Sequence, residues 1–168
     1  KMLVCCRIRK PIYTGINAKL FDVVVGRVID LLQCDHFSSQ ENGVVGVDVV
    51  DEMRAASINN FTEAERVNPW YKKEFVDLRT GYALNLPVED NSIDVAAQNC
   101  LFNIVKQEEL KKALQEMYRV LKPRGRLVMS DPICETVMPE ALKEDERLRA
   151  LCLSGSLPLW DYIKMITD

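Results

Sequence analysis

Much of what decides the class of this chain is what it lacks. No stretch approaches the ~20 consecutive apolar residues that a membrane-spanning helix needs. Cationic side chains are not in excess: 22 Lys and Arg against 25 Asp and Glu leave a formal net charge of −3, which disfavours nonspecific attraction to nucleic acid or anionic membrane. The N-terminus offers only Met2-Leu3-Val4-Cys5-Cys6 before Arg7, Arg9 and Lys10, too short an apolar run for a secretory signal. The expected compartment is therefore the cytoplasm. There is one histidine, His36, and a lone residue makes no catalytic constellation, so a surface or packing role is the plainer reading. The six cysteines lack the paired C-x-x-C spacing of zinc sites, which points to reduced thiols rather than a disulfide framework.

What is present suits one domain: 168 residues, 48% of them hydrophobic, enough to bury a real core. Residues 1–18 carry mixed charges, Pro11 and Gly15 with no sustained period, and read as an irregular arm before a domain over 19–168. The clearest segment runs from Ile93 to Pro132. Ile93, Val95 and Ala97 predict a strand buried on both faces that ends at Gln98, Asn99 and Cys100, where side chains face a cleft. From Gln107, the residues Leu110, Ala113, Leu114, Met117 and Leu121 recur at helical steps with charges between them, predicting an amphipathic helix. Lys122-Pro123-Arg124-Gly125 predicts a stop, with the glycine free to take positive φ, and Arg126–Ser130 a further strand before Asp131.

The rest alternates in the same way. Strands are predicted over Lys19–Gly26, Val44–Asp48 and Lys73–Leu78, with a short helix after the first and a longer one from Met53 to Arg66, broken by Pro69. A loop follows from Arg79 to Tyr82. Beyond the central segment, one charged helix is predicted from Met138 to Ala150, a loop from Leu151 to Pro158 and a last helix to Thr167. Strand and helix in alternation imply a doubly wound, Rossmann-like α/β sheet, whose ligands gather beyond the carboxyl ends of its strands. Asp48 stands at such an end. A carboxylate there can accept from both ribose hydroxyls; it can equally be a helix N-cap or a solvated strand-end charge.

Val44–Asp48, Leu84-Asn85-Leu86-Pro87 with Asp90–Val95, and Tyr118-Arg119-Val120-Leu121-Lys122-Pro123 with Gly125 together resemble the class I S-adenosylmethionine-dependent methyltransferases. Within them, Gln98–Asn103 and Leu151–Leu157 are similar to the arsenite methyltransferases, in particular the branch associated with arsenosugar synthesis. The resemblance implies S-adenosylmethionine as cofactor, held by Gly26, Asp48, Val49, Tyr82, Ala83 and Asn99. It also implies a small-molecule or metalloid substrate, with neither nucleic acid nor membrane as partner. Cys100 and Cys152 match the arsenic-binding positions, and Cys5 or Cys6 stands where a third thiol would come from. Arsenic(III) is soft and thiophilic, so thiolates from separate loops can hold it while its lone pair stays available. The alternative is that these cysteines are small buried hydrophobes, the reading preferred for Cys34 and Cys134.

The chain also departs from the family pattern. Val23-Val24-Val25-Gly26 keeps one glycine of the cofactor turn, where close backbone approach is needed. The family's acid before an alanine is replaced at Gly81-Tyr82-Ala83, leaving Tyr82 either to stack on adenine or to pack on the sheet. The usual closing strands are absent, which predicts a homodimer along the exposed sheet edge or local opening there. The leading expectation is methyl transfer to thiol-bound trivalent arsenic. The alternatives are a noncatalytic, degenerate binding protein and a methyltransferase for a small organic nucleophile.

Overall fold

The computed structural model describes residues 19–23 and 43–167. Cys5, Cys6, Gly26, Cys34 and His36 lie outside the described residues, as do the N-terminal arm and the short helix expected after the first strand. The chain divides into two compact units, one built from Arg9–Ala97 and Glu116–Val128, the other mainly from Gln98–Gln115 and Met129–Asp168. No helix among the described residues is long and apolar enough to cross a membrane.

The first unit holds most of a five-stranded sheet. Its strands are β1 (Leu20–Val23), β2 (Val44–Asp48), β3 (Val76–Thr80), β4 (Ile93–Asn99) and β5 (Leu121–Ser130), in the order β3-β2-β1-β4-β5. β1 and β3 both pair with β2 in parallel, with Leu20 opposite Val44 and Val44 opposite Val76. This is the doubly wound order expected: the direction of winding reverses between β1 and β4. β2 is buried at all five positions, which is why its sequence is a run of valines rather than an alternation.

Helix α1 (Asp51–Val67) follows β2 and passes through Asn59-Asn60 without a break, anchored by buried Ser57, Phe61 and Ala64. Asp51 and Glu52 in its first turn and Arg66 in its last suit the helix dipole. It ends where Asn68 turns both its backbone N–H and its Nδ2 onto the Ala64 carbonyl, each at 2.9 Å. Two strand boundaries differ from expectation. Lys73–Phe75 is a tight 3-10 turn, closed by Phe75 N donating to Lys72 O at 3.0 Å, so β3 starts at Val76 instead of Lys73. Helix α2 (Gln107–Val120) runs straight into β5, and the positive φ there belongs to Arg124, not Gly125. Gly125 is needed for space, because a Cβ on it would lie 2.9 Å from the Lys122 carbonyl oxygen.

One arginine ties this unit together. Arg119, near the end of α2, donates from Nε to Glu116 Oε1 at 2.9 Å and from Nη2 to Glu116 Oε2 and the Leu86 carbonyl at 2.8 and 3.0 Å. Its Nη1 reaches the Val88 carbonyl at 2.8 Å and Asp90 at 2.6 Å. All five guanidinium donors are thus engaged. Glu116 returns the favour by accepting from Leu86 N at 2.8 Å. The segment Leu86–Asp90, which has no regular structure of its own, is clamped to the helix that carries the Tyr-Arg-Val-Leu-Lys-Pro motif.

In the second unit, the single helix expected over 138–150 is two: α3 (Glu140–Lys143) and α4 (Glu146–Ala150). Asp145 breaks it by capping α4, accepting from Arg147 N at 2.8 Å and Leu148 N at 3.1 Å, and a capping side chain needs non-helical backbone. Two short strands, β6 (Ile133–Cys134) and β7 (Leu157–Pro158), pair in parallel where only loop was expected. Helix α5 (Leu159–Thr167) follows as anticipated. Replacing Arg119 by Lys keeps the charge but not the fork, so Arg119→Lys should lower stability by ~1–3 kcal/mol, read as a shifted urea midpoint with an unchanged slope.

Candidate functional site

In the first unit, four of the residues expected to hold the cofactor, Asp48, Val49, Tyr82 and Ala83, lie at or after the carboxyl ends of β2 and β3. Asp48 is only 3% exposed. Its Oδ1 accepts from Val50 N at 2.8 Å, while Oδ2 is buried with no hydrogen-bond partner among the described residues. The N-cap of α1 is Val50, with no side-chain cap, so Asp48 neither caps the helix nor sits in solvent. A buried carboxylate oxygen left without a donor costs free energy, and a ligand hydroxyl would satisfy it. This donor-hungry atom at a strand end fits the ribose of S-adenosylmethionine. The Asp48 carbonyl, accepting from Arg54 Nη1 at 2.8 Å and Gly81 N at 3.3 Å, joins the β3 loop to the same rim. Val49 follows directly, exposed, and Ala83 is half-buried. Tyr82 is 66% exposed, so it is not packed into the core. Gly81 has no room for a side chain, since a Cβ would come 2.4 Å from Pro87 Cδ.

The second unit assembles a different set. Cys100 follows β4 and Cys152 follows α4, and both have left-handed backbone, φ 61° and 60°. Cys100 N donates to the Ser130 carbonyl at 2.8 Å and Cys152 N to the Arg149 carbonyl at 2.8 Å, which fixes each turn. Cys100 and Cys152 lie close enough to influence each other's titration: burial pushes the Cys152 thiol up, its interaction with the Cys100 side chain opposes this, and the nearby Asp131 charge adds to the rise. Cys100 Sγ also lies 3.5 Å from Asn99 Oδ1. Cys134 is elsewhere, donating to the Ser156 carbonyl at 3.3 Å. No group of three or more His, Cys, Asp or Glu able to hold a metal ion occurs among the described residues. Cys5 and Cys6, expected as a source of a third thiol, lie outside the described residues.

Residues with no individual role legible in the sequence surround the two cysteines. Asn103 is fully buried, and its amide donates to the Pro132 carbonyl at 2.9 Å and to the Cys152 carbonyl and Ser156 Oγ at 3.0 Å each. Gly155 lies against it so closely that a Cβ would come 2.2 Å from the Asn103 carbonyl oxygen. Beside the thiols, Asp131 Oδ2 accepts from Tyr162 Oη at 2.5 Å and from Gln98 Nε2. Burial pushes Asp131 above the usual carboxylate range against the pull of those two bonds, and burial with the Asp131 charge pushes the Tyr162 phenol far up. Only strand-end position marked Gln98 and Asp131 in the sequence; nothing local marked Tyr162.

A methyltransferase-domain family model matches residues 19–129. An arsenite methyltransferase of Aquipseudomonas alcaligenes is 35% identical over 123 residues, covering 71% of this chain and 34% of that protein. A demethylmenaquinone methyltransferase of Paenarthrobacter aurescens is 39% identical over 111 residues, 66% of this chain and 40% of that one. The crystal structure of an arsenic(III) S-adenosylmethionine methyltransferase from Chlamydomonas reinhardtii matches with a TM-score of 0.78 at 26% identity, covering 94% of this chain and 53% of that chain. This chain thus spans well under two thirds of the length of each.

The contact between Gly155 and Asn103 sets where Cys152 can sit. Gly155→Ala should cost ~1–3 kcal/mol of stability through overpacking. It should also lower the yield of a short bifunctional thiol reagent bridging Cys100 to Cys152, measured by mass spectrometry on protein verified as folded by circular dichroism.

Proposed function

We propose that this chain, which belongs to the S-adenosylmethionine-dependent methyltransferase family, transfers a methyl group from S-adenosylmethionine to thiol-bound trivalent arsenic. The observation that carries the acceptor is the proximity of Cys100 and Cys152, each on a left-handed turn of the same unit and each felt by the other's side chain. When bound, S-adenosylmethionine supplies an electrophilic methyl carbon on a sulfonium. The unpartnered Oδ2 of Asp48 would take a ribose hydroxyl, with Val49, Ala83 and Tyr82 along the same rim and Asn99 and Gly26 completing the expected set.

The thiols would exchange with arsenite by simple substitution. Each Cys S–H replaces one hydroxyl on arsenic and the proton leaves with it as water, so two cysteines bind with release of two waters and no net proton. A thiol pushed up by burial is protonated near neutral pH, where it is little attacked by oxidants, and its sulfur is the stronger nucleophile once the proton is gone. Two sulfurs from separate turns give chelation and fix the direction of the arsenic lone pair, the positional part of catalysis.

Chelation makes the two cysteines interdependent. Cys100→Ser and Cys152→Ser should each remove most of the phenylarsenite affinity, and the double variant should lose little more, whereas Cys134→Ser should bind nearly as the parent does. A second reading, methyl transfer to an organic acceptor, is favoured by the demethylmenaquinone methyltransferase relative. It takes over if folded Cys100→Ser and Cys152→Ser bind phenylarsenite like the parent.

The donor half has its own test. In titration calorimetry Asp48→Asn should weaken S-adenosylmethionine binding by ~1.5–3 kcal/mol, the range for a charged hydrogen bond. An unaltered heat would remove Asp48 from the donor site, and no heat from the parent chain would leave the noncatalytic reading.

A further inference from the structure

The thiols account for holding arsenic, but they leave one half-buried carboxylate in the same unit without a task. Asp131 follows β5 directly, and the carbonyl of the preceding Ser130 accepts the Cys100 N–H at 2.8 Å, so Asp131 and Cys100 leave adjoining strand ends together. Tyr162 Oη donates to Asp131 Oδ2 at 2.5 Å and Gln98 Nε2 donates to the same oxygen. Neither donor is at liberty to turn away. The Tyr162 ring is buried against Phe102, centroids 6.5 Å apart, and Gln98 Oε1 is occupied by Leu101 N at 2.9 Å. The charge is felt at sulfur, since it adds to the upward push on the Cys152 thiol.

Resting on the arsenic reading above, we propose that Asp131, fixed by Tyr162 and Gln98, stabilises the positive charge that arsenic acquires as it takes the methyl group. Arsenic held by two sulfurs and one hydroxyl is neutral and has one lone pair. That pair forms the new arsenic–carbon bond, while the carbon–sulfur bond of the donor breaks and its electrons stay on the donor sulfur. Positive charge thereby leaves sulfur and appears on arsenic. Arsenic is oxidised from trivalent to pentavalent, the transferred carbon is reduced by the same electron pair, and no proton moves. A carboxylate beside the thiols interacts weakly with the neutral bound arsenic and strongly with the cation, so it favours the transition state over the ground state. Partial burial enlarges the effect, and the two fixed donors limit the reorganisation required during reaction.

The test uses the full chain and compares Asp131→Asn and Tyr162→Phe with the parent. Asp131→Asn should keep phenylarsenite affinity within about threefold, yet lower kcat for arsenite methylation at saturating S-adenosylmethionine about 10²-fold, the scale of losing one preorganised electrostatic group. The parent should lose activity on the acid side as Asp131 protonates. Because burial raises its carboxyl, that limb lies above the usual carboxylate range. It should vanish in Asp131→Asn. In Tyr162→Phe it should move higher still, since the bond from Tyr162 holds the carboxyl down. Independently of turnover, iodoacetamide labelling of Cys152 should reach its midpoint at lower pH in Asp131→Asn. An Asp131→Asn variant that methylates at the parent rate overturns the proposal alone. So does one whose kcat and phenylarsenite affinity fall together, or whose labelling midpoint stays put. A parent that fails to methylate arsenite overturns the arsenic reading, and this proposal with it.

Discussion

The side-chain amide of Asn103 has two protons and three acceptors within 3.0 Å, in a position with no access to water. A buried amide must find partners or cost several hydrogen bonds, and here the partners are the chain leaving β5 at Pro132, the carbonyl of Cys152 and the hydroxyl of Ser156. The thiol of Cys152 has its place because its own carbonyl is held. Gly155 is the geometric counterpart of that bond, the residue whose missing side chain lets the loop close on Asn103. In the other unit Arg119 plays the same part with charge added, converting the irregular segment Leu86–Asp90 into a fixed structure through five donors.

Several buried polar atoms among the described residues have no hydrogen-bond partner, Asn103 Oδ1 and Asp131 Oδ1 among them, and Asp48 differs from these by its place. Its Oδ2 is enclosed without a donor in a strand end where ligands of doubly wound folds gather. Asp131 is half-buried, with two donors on Oδ2 and none on Oδ1. One carboxylate waits for a hydrogen bond and the other has its charge fixed in place; the first suits binding and the second suits electrostatics.

The chemistry proposed for the thiols turns on a point that pKa alone would misrepresent. A thiol pushed up by burial looks inert, because nucleophilic attack and oxidation go through the thiolate. Substitution at an arsenic hydroxide removes the proton as water, so in the proposed reaction the burial that raises the Cys152 thiol would not oppose its exchange with arsenite.

The sequence by itself determined the elements with unambiguous period. The valine run at Val44–Val47, the apolar stripe of Leu110, Ala113 and Met117, and the strand ending at Gln98 were all legible, because each is a local pattern that burial imposes on consecutive residues. Asp48 and Cys100 could be named as strand-end candidates for the same reason, and motif similarity added Cys152. Local pattern could not reveal the break at Asp145, where a side-chain cap outcompeted helical continuation, or the assignment of positive φ to Arg124 over Gly125. It also could not pair β6 with β7 or set the strand order β3-β2-β1-β4-β5, since both depend on partners far along the chain. The tertiary structure alone decided that Cys152 meets Cys100 from 52 residues away, that Tyr162 closes on Asp131 across 31, and that Asp48 keeps an oxygen unpaired. Those are facts about which distant groups come together, and no periodicity encodes them.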